Sequence, residues 1–222
     1  MARIARVVIP EVAHHITQRG VRRINIFDDA TDKKSYIKIL SELSLEEQVE
    51  IHAYCLMDNH VHLLAVPKKE DSLRKVIGET HRLYTRMINF RKNVRGHLFQ
   101  ERFFSCPLDE AYCVATARYI ERNPVRAKMC DNAWDYEFSS AKYHVGIKSN
   151  DPLLTKNDWF YGHKEWKDFL FEEPREIDLV RKFTKTGRPL GNKNFLESLE
   201  KLSGRVLATK KLGRPKVRQD LS

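Results

Sequence analysis

Two apolar runs lie back to back in this chain, separated by a short polar turn, and that pairing constrains the fold more than any other stretch. The first is Val49-Glu50-Ile51-His52-Ala53-Tyr54-Cys55-Leu56, and the second runs from Val61 to Val66 behind Met57-Asp58-Asn59. Asp and Asn tolerate tight-turn backbone angles, so the pair reads as a β-hairpin with His60 at the start of its second strand. Side chains alternate along a strand, which puts His60 and His62 on one face and Val61, Leu63 and Ala65 on the other. Two imidazoles side by side suit a divalent metal that keeps open positions for substrate and water. The plainer alternative is a structural role, but burying both rings without partners would be costly.

The rest of the chain supplies what such a hairpin needs around it. Val12-Ala13-His14-His15-Ile16-Thr17-Gln18-Arg19-Gly20 reads as a strand entering a turn, and at most one of the adjacent His14 and His15 could face the metal region. Tyr36, Ile39, Leu40 and Leu43 follow helical spacing, and a longer helical pattern runs from Ser72 to about Asn89. A basic, glycine-containing loop from Arg91 to His97 follows, with Arg91, Lys92 and Arg95 as candidate phosphate contacts. Gln100 to Leu108 reads as a strand closed by proline, and a helix then runs to Asn123, where Pro124 disfavours its continuation. The order strand, helix, strand, strand, helix, strand is that of an α+β, ferredoxin-like βαββαβ core, an antiparallel sheet with helices on one face.

Charge divides the chain. Residues 175–222 hold 13 Lys and Arg against 5 Asp and Glu, a net of +8, out of +10 for all 222 residues. A nearly neutral body with a basic tail points to a polyanion, nucleic acid first among them. The expected organisation is a catalytic core over 1–130, an aromatic-rich extension over 131–174 that wraps onto it, and a basic, DNA-binding C-terminal extension with a short helix from Phe195 to Leu202. Arg188 and Arg214 each sit in a Gly-Arg-Pro tripeptide, a compact cationic unit able to enter a minor groove. Cys55, Cys106, Cys113 and Cys130 form no C-x-x-C pair and read as reduced, packed thiols. No stretch approaches the ~20 apolar residues that span a bilayer, and the first ten residues lack a signal-peptide core. A cytoplasmic protein with no membrane partner is expected.

Tyr119 and Asn123 share one helical face, one turn apart. A phenol and a carboxamide so placed can converge as nucleophile and metal ligand; a packed aromatic and a helix cap are the alternative. Together with His60-Val61-His62, the run Arg118-Tyr119-Ile120-Glu121-Arg122-Asn123-Pro124-Val125-Arg126-Ala127 resembles the HUH single-tyrosine (IS200-like) transposases, and more closely their REP-associated branch. Gly96-His97-Leu98-Phe99-Gln100-Glu101-Arg102-Phe103 and Trp134-Asp135-Tyr136-Glu137-Phe138-Ser139-Ser140 are similar to further landmarks of that branch.

The resemblance spans about residues 10–145 and implies a metal-dependent nuclease and strand transferase acting on single-stranded or hairpin DNA. It implies Tyr119 as nucleophile, forming a 5′-phosphotyrosine bond, and His60, His62 and Asn123 as ligands of Mg²⁺ or Mn²⁺. Insertion-sequence relatives carry glutamine where this chain has Asn123, one methylene shorter. Tyr112, two helical turns before Tyr119, is a rival nucleophile. Two non-catalytic alternatives stay open: a ferredoxin-like nucleic-acid-binding module that stacks bases on sheet aromatics, and a degenerate transposase kept as a regulator. Monomer and homodimer are equally compatible with the sequence.

Overall fold

The computed structural model describes residues 5–156 and 163–207. Its centre is a four-stranded sheet in the order β2-β3-β1-β4, with β1 Ala13–Arg19, β2 Val49–Met57, β3 His60–Pro67 and β4 Phe104–Leu108. All three pairings are antiparallel, with His15 opposite Leu64, Thr17 opposite His62, and Met57 opposite His60. This is the expected βαββαβ order. The helices α1 Ala30–Glu46 and α2 Ser72–Lys92 follow β1 and β3. Pro107 sits in β4, where an edge strand tolerates the missing N–H.

The helices occupy both faces of the sheet, not one. Ile16, Val61, Leu63 and Ala65 pack with Tyr36, Leu40, Val76, Ile77 and Tyr84 of α1 and α2. The opposite face, with Ala53, Cys55, Leu64, Val66 and Cys106, packs against α3 Glu110–Glu121 through Cys113, Ala117, Tyr119 and Ile120. With α1 and α2 on the first face, the second would be left to water, and α3 covers it. Gly20 closes β1 where the chain doubles back, and a Cβ there would stand 2.2 Å from the Ile24 carbonyl oxygen.

Several short elements follow α3: α4 Asn123–Arg126, α5 Ala141–His144, α6 His163–Phe169, α7 Ile177–Thr186 and α8 Lys193–Ser203. The aromatic segment after α4 lies along β2. The Leu56 N–H donates to Phe138 O at 2.9 Å, and the Tyr136 hydroxyl donates to Leu56 O at 2.7 Å. Trp166 is fully buried, while Trp159, Tyr161 and Arg214 lie outside the described residues. Among the described residues no helix is long and apolar enough to cross a membrane.

Three of the cations expected to meet phosphate are engaged within the protein. α2 runs on to Lys92, so Arg91 and Lys92 are helical and not in the loop. Arg91 grips the buried Asp32 carboxylate with two bonds, at 2.5 and 2.9 Å, and also reaches Asp28, which Lys92 contacts at 2.7 Å. Arg188 donates to Leu207 O at 2.6 Å, and Gly187 caps α7 at φ 70°, in the left-handed region glycine favours. The first Gly-Arg-Pro is therefore a helix stop that leads Leu190 into a bridge beside Leu108. Arg95 stays exposed, on the rim of a groove of about 550 Å³ with Arg82, Arg86 and the protruding Phe90.

The carboxylate of Glu121, the last residue of α3, is wholly buried. It accepts hydrogen bonds from Ser140 Oγ at 2.5 Å and Trp166 Nε1 at 2.8 Å, and pairs with His144 Nδ1 at 2.5 Å. Glu121→Gln keeps the shape but turns one acceptor into a donor facing other donors. It is expected to cost about 2 kcal/mol, read as a lower urea midpoint with an unchanged m-value.

Candidate active site

The histidine face of the sheet and the last turns of α3 enclose a pocket of about 440 Å³. Its walls include His15, Thr17, Arg19, His60, His62 and Tyr119, with Arg181, Thr184 and Lys185 contributed by α7. The structure therefore brings His60 and His62 together with Tyr119, which lies 59 and 57 positions further along the chain. Strand alternation selects His15 over His14: His15 faces the pocket, whereas His14 turns to the backbone near Val12.

Tyr119 stands edge-on to two imidazoles at once, its ring centroid 5.5 Å from His62 and 5.7 Å from His15. Two guanidiniums lie over the same ring, Arg126 at 4.6 Å and Arg181 at 5.9 Å. Tyr112 does not line the pocket. Asn123 does not line it either, and its Nδ2 donates to the Tyr119 and Ile120 carbonyls, both at 3.2 Å. The carboxamide thus caps the end of α3, leaving only Oδ1 to serve as a ligand.

The histidines are chemically prepared as nitrogen donors. Burial lowers the pKa of His60 to about 4 and of His15 to about 3, and holds His62 well below its ordinary value, with neighbouring imidazoles and arginines adding to the effect. All three are neutral near pH 7. His60 Nδ1 lies 2.6 Å from Asn59 Oδ1, which accepts its proton. His62 Nδ1 lies 2.9 Å from His15 Nε2. With both Nδ1 atoms engaged, Nε2 is the nitrogen each ring has left for a cation. Among the described residues no three His, Cys, Asp or Glu side chains are grouped to hold a metal. The two imidazole Nε2 atoms are the donors the pocket itself offers, so a divalent cation there would need further oxygen ligands from water, substrate or an amide.

Outside this pocket, His81 is lowered to about 3 and His14 to about 4, again by burial. The unfolded chain takes up these protons below about 6.5, and the folded one only nearer pH 4. Stability is therefore expected to fall as pH drops from about 6.5 towards 4, by up to about 1.4 kcal/mol per pH unit for each buried histidine. Thermal melts at pH 7.0, 6.0 and 5.0 read this directly; a flat profile would show that the imidazoles are not held neutral by the fold.

No curated protein matches the chain. Several solved structures resemble it, among them the following two. One is described as the REP-associated tyrosine transposase bound to a REP hairpin, with 18% identity over 72% of this chain and 94% of that one, at a TM-score of 0.52. The other, a putative transposase from Deinococcus radiodurans, is 19% identical over 54% of this chain and 96% of that one, at a TM-score of 0.39. The first likeness establishes the α+β fold. The family model described as "Transposase IS200 like" matches residues 9–123, more than half the chain and all of the sheet with α3, and the protein belongs to the IS200-like transposase family.

Proposed function

We propose that this transposase nicks and rejoins single-stranded DNA beside a hairpin, with Tyr119 as its nucleophile. The observation that carries the reading is the placement of the Tyr119 ring against both His15 and His62, in a pocket rimmed by Arg19, Arg181 and Lys185. Tyr119 Oη attacks the scissile phosphorus, the bond to the 3′ oxygen breaks, and a 5′-phosphotyrosine and a 3′-hydroxyl result. The phenolic proton leaves Oη during attack, and the departing 3′ oxygen takes up a proton. Attack by a new 3′-hydroxyl reverses the step without a nucleotide cofactor.

His60 and His62 would hold a divalent cation, and Asn123 Oδ1, which lies outside the pocket lining, would have to turn towards it to serve as a third protein ligand. That cation would draw charge from the phosphoryl oxygens and align the scissile bond. Arg126 and Arg181 set positive charge close to the ring of the nucleophile. The hairpin is argued by analogy with the similar solved structure, whose protein is bound to one. Arg95, with Arg82 and Arg86 beside the exposed Phe90, is suited to phosphate contact and base stacking.

Covalent trapping tests the chemistry: labelled hairpin-bearing single strands are incubated with Mn²⁺ and separated under denaturing conditions. Wild type and Tyr112→Phe are expected to form an adduct, and Tyr119→Phe none. An adduct lost in Tyr112→Phe and kept in Tyr119→Phe reassigns the nucleophile, and DNA binding with no adduct in wild type favours a regulator. The surface reading has its own measurement. Arg95→Ala should weaken DNA binding without shifting the melting temperature, and should reduce the slope of log affinity against log salt by about 0.7, as for one lost single-strand phosphate contact. Arg91→Ala should instead lower the melting temperature, because it strands the buried Asp32.

A further inference from the structure

A hydrogen-bonded chain enters the pocket from α7 and ends on His62. Thr184 Oγ1 lies 2.7 Å from His15 Nδ1, and His15 Nε2 lies 2.9 Å from His62 Nδ1. All three side chains are buried, and the two rings are stacked 16° from parallel with centroids 5.1 Å apart. Each nitrogen between Thr184 and His62 has a protein partner, and those partners set the proton positions within the chain of bonds.

Each neutral imidazole has one donor and one acceptor nitrogen, so the chain has two possible polarities. In one, His62 Nδ1–H donates to His15 Nε2, His15 Nδ1–H donates to Thr184 Oγ1, and His62 Nε2 carries a free lone pair. In the other, Thr184 donates to His15 Nδ1, His15 Nε2–H donates to His62 Nδ1, and His62 Nε2 bears a proton that bars a cation. A cation on His62 Nε2 requires the first polarity, with Thr184 Oγ1, whose one hydrogen-bond partner among the described residues is His15, as the acceptor.

The geometry points to Thr184 and His15 as positioning residues that fix the tautomer of His62, keeping Nδ1 protonated and Nε2 open towards a divalent cation. Ligating histidines commonly have their second nitrogen held by such a partner, and losing it weakens metal affinity about 10–100-fold. Here the partner's own partner sits on α7, beyond the residues that match the family model, so the C-terminal extension is a working part of the metal site. The inference rests on the reading of His60 and His62 as ligands, and the experiment separates the two.

The test uses the full chain without DNA and has two readouts: imidazole tautomers by long-range ¹H–¹⁵N spectra, and Mn²⁺ affinity by electron paramagnetic resonance. In the metal-free wild type, His15 and His62 are expected as Nδ1–H tautomers, the less common form in water. His15→Leu should weaken Mn²⁺ binding 10–100-fold, and His15→Gln, whose amide oxygen can accept from His62 Nδ1, should restore it to within a few-fold. Thr184→Val, nearly the same shape, should release the His15 tautomer and weaken Mn²⁺ a few-fold, and serves if His15→Leu does not fold. An Nε2–H tautomer at His62, or wild-type Mn²⁺ affinity in Thr184→Val and in folded His15→Leu while His62→Ala loses binding, overturns the relay. Mn²⁺ binding unchanged in His62→Ala overturns the ligand reading itself.

Discussion

The structure depends on covering one face of the sheet while giving the imidazoles on it hydrogen-bond partners. His15, Thr17, His60 and His62 emerge on that face by strand alternation, together with Leu64 and Val66. A buried imidazolium is penalised, so the rings are neutral, and a neutral ring still needs a partner for its donor nitrogen. Asn59 meets that need for His60 from within the hairpin turn, and His15 with Thr184 meets it for His62 from the neighbouring strand and α7. The cover on that face is α3, and its last turns deliver Tyr119.

Two carboxylates, one at each end of α3, hold that cover in place. Asp109 caps the N-terminus by accepting from Tyr112 N, where the helix dipole favours negative charge, and its second oxygen accepts the Asn192 N–H at 2.8 Å. Glu121 sits at the other end, where the dipole disfavours it, and its burial requires the partners supplied by Ser140, His144 and Trp166. The first carboxylate ties α3 to the C-terminal extension and the second to the aromatic segment. The position of Tyr119 over the histidines is thus fixed by residues well beyond it in sequence, which is why the parts of the chain after α4 are bound up with the chemistry.

Elements governed by local periodicity were legible in the sequence. The β2–β3 hairpin, the split of His60 and His62 from Val61 and Leu63, the approach of only one of His14 and His15, and the one-turn spacing of Tyr119 and Asn123 all follow from periods of two and 3.6. What escaped depends on distant partners. Nothing near Arg91 announces that Asp28 and Asp32, about 60 residues earlier, will claim it, although a helix-forming run to Lys92 could have moved it out of the loop. Gly187 carried the signal of a helix stop as well as that of a groove-binding tripeptide, and only the amphipathic spacing of Val180 and Phe183 before it distinguishes the two. The face covered by α3 follows once α1 and α2 are seen to fill the other. Thr184 gives no local sign of its role, since its partner His15 lies 169 residues away.

The charge of the extension takes on a different meaning when each cation is followed to its place. Arg188 and Arg205 donate to backbone carbonyls, Arg188 to that of Leu207 and Arg205 to those of Ala5 and Arg6. Arg181 and Lys185 reach the pocket and join Arg19 there, with Arg126 lying over Tyr119. The result is a positive rim around neutral nitrogen donors. On the proposed reading, a phosphate approaching Tyr119 would meet that rim, while the neutral imidazoles would present lone pairs and no charge. Beside burial, Arg19 and Arg126 help suppress protonation of His60 and His62, so on the proposed reading the charge that would draw in an anion would also keep the candidate ligands unprotonated.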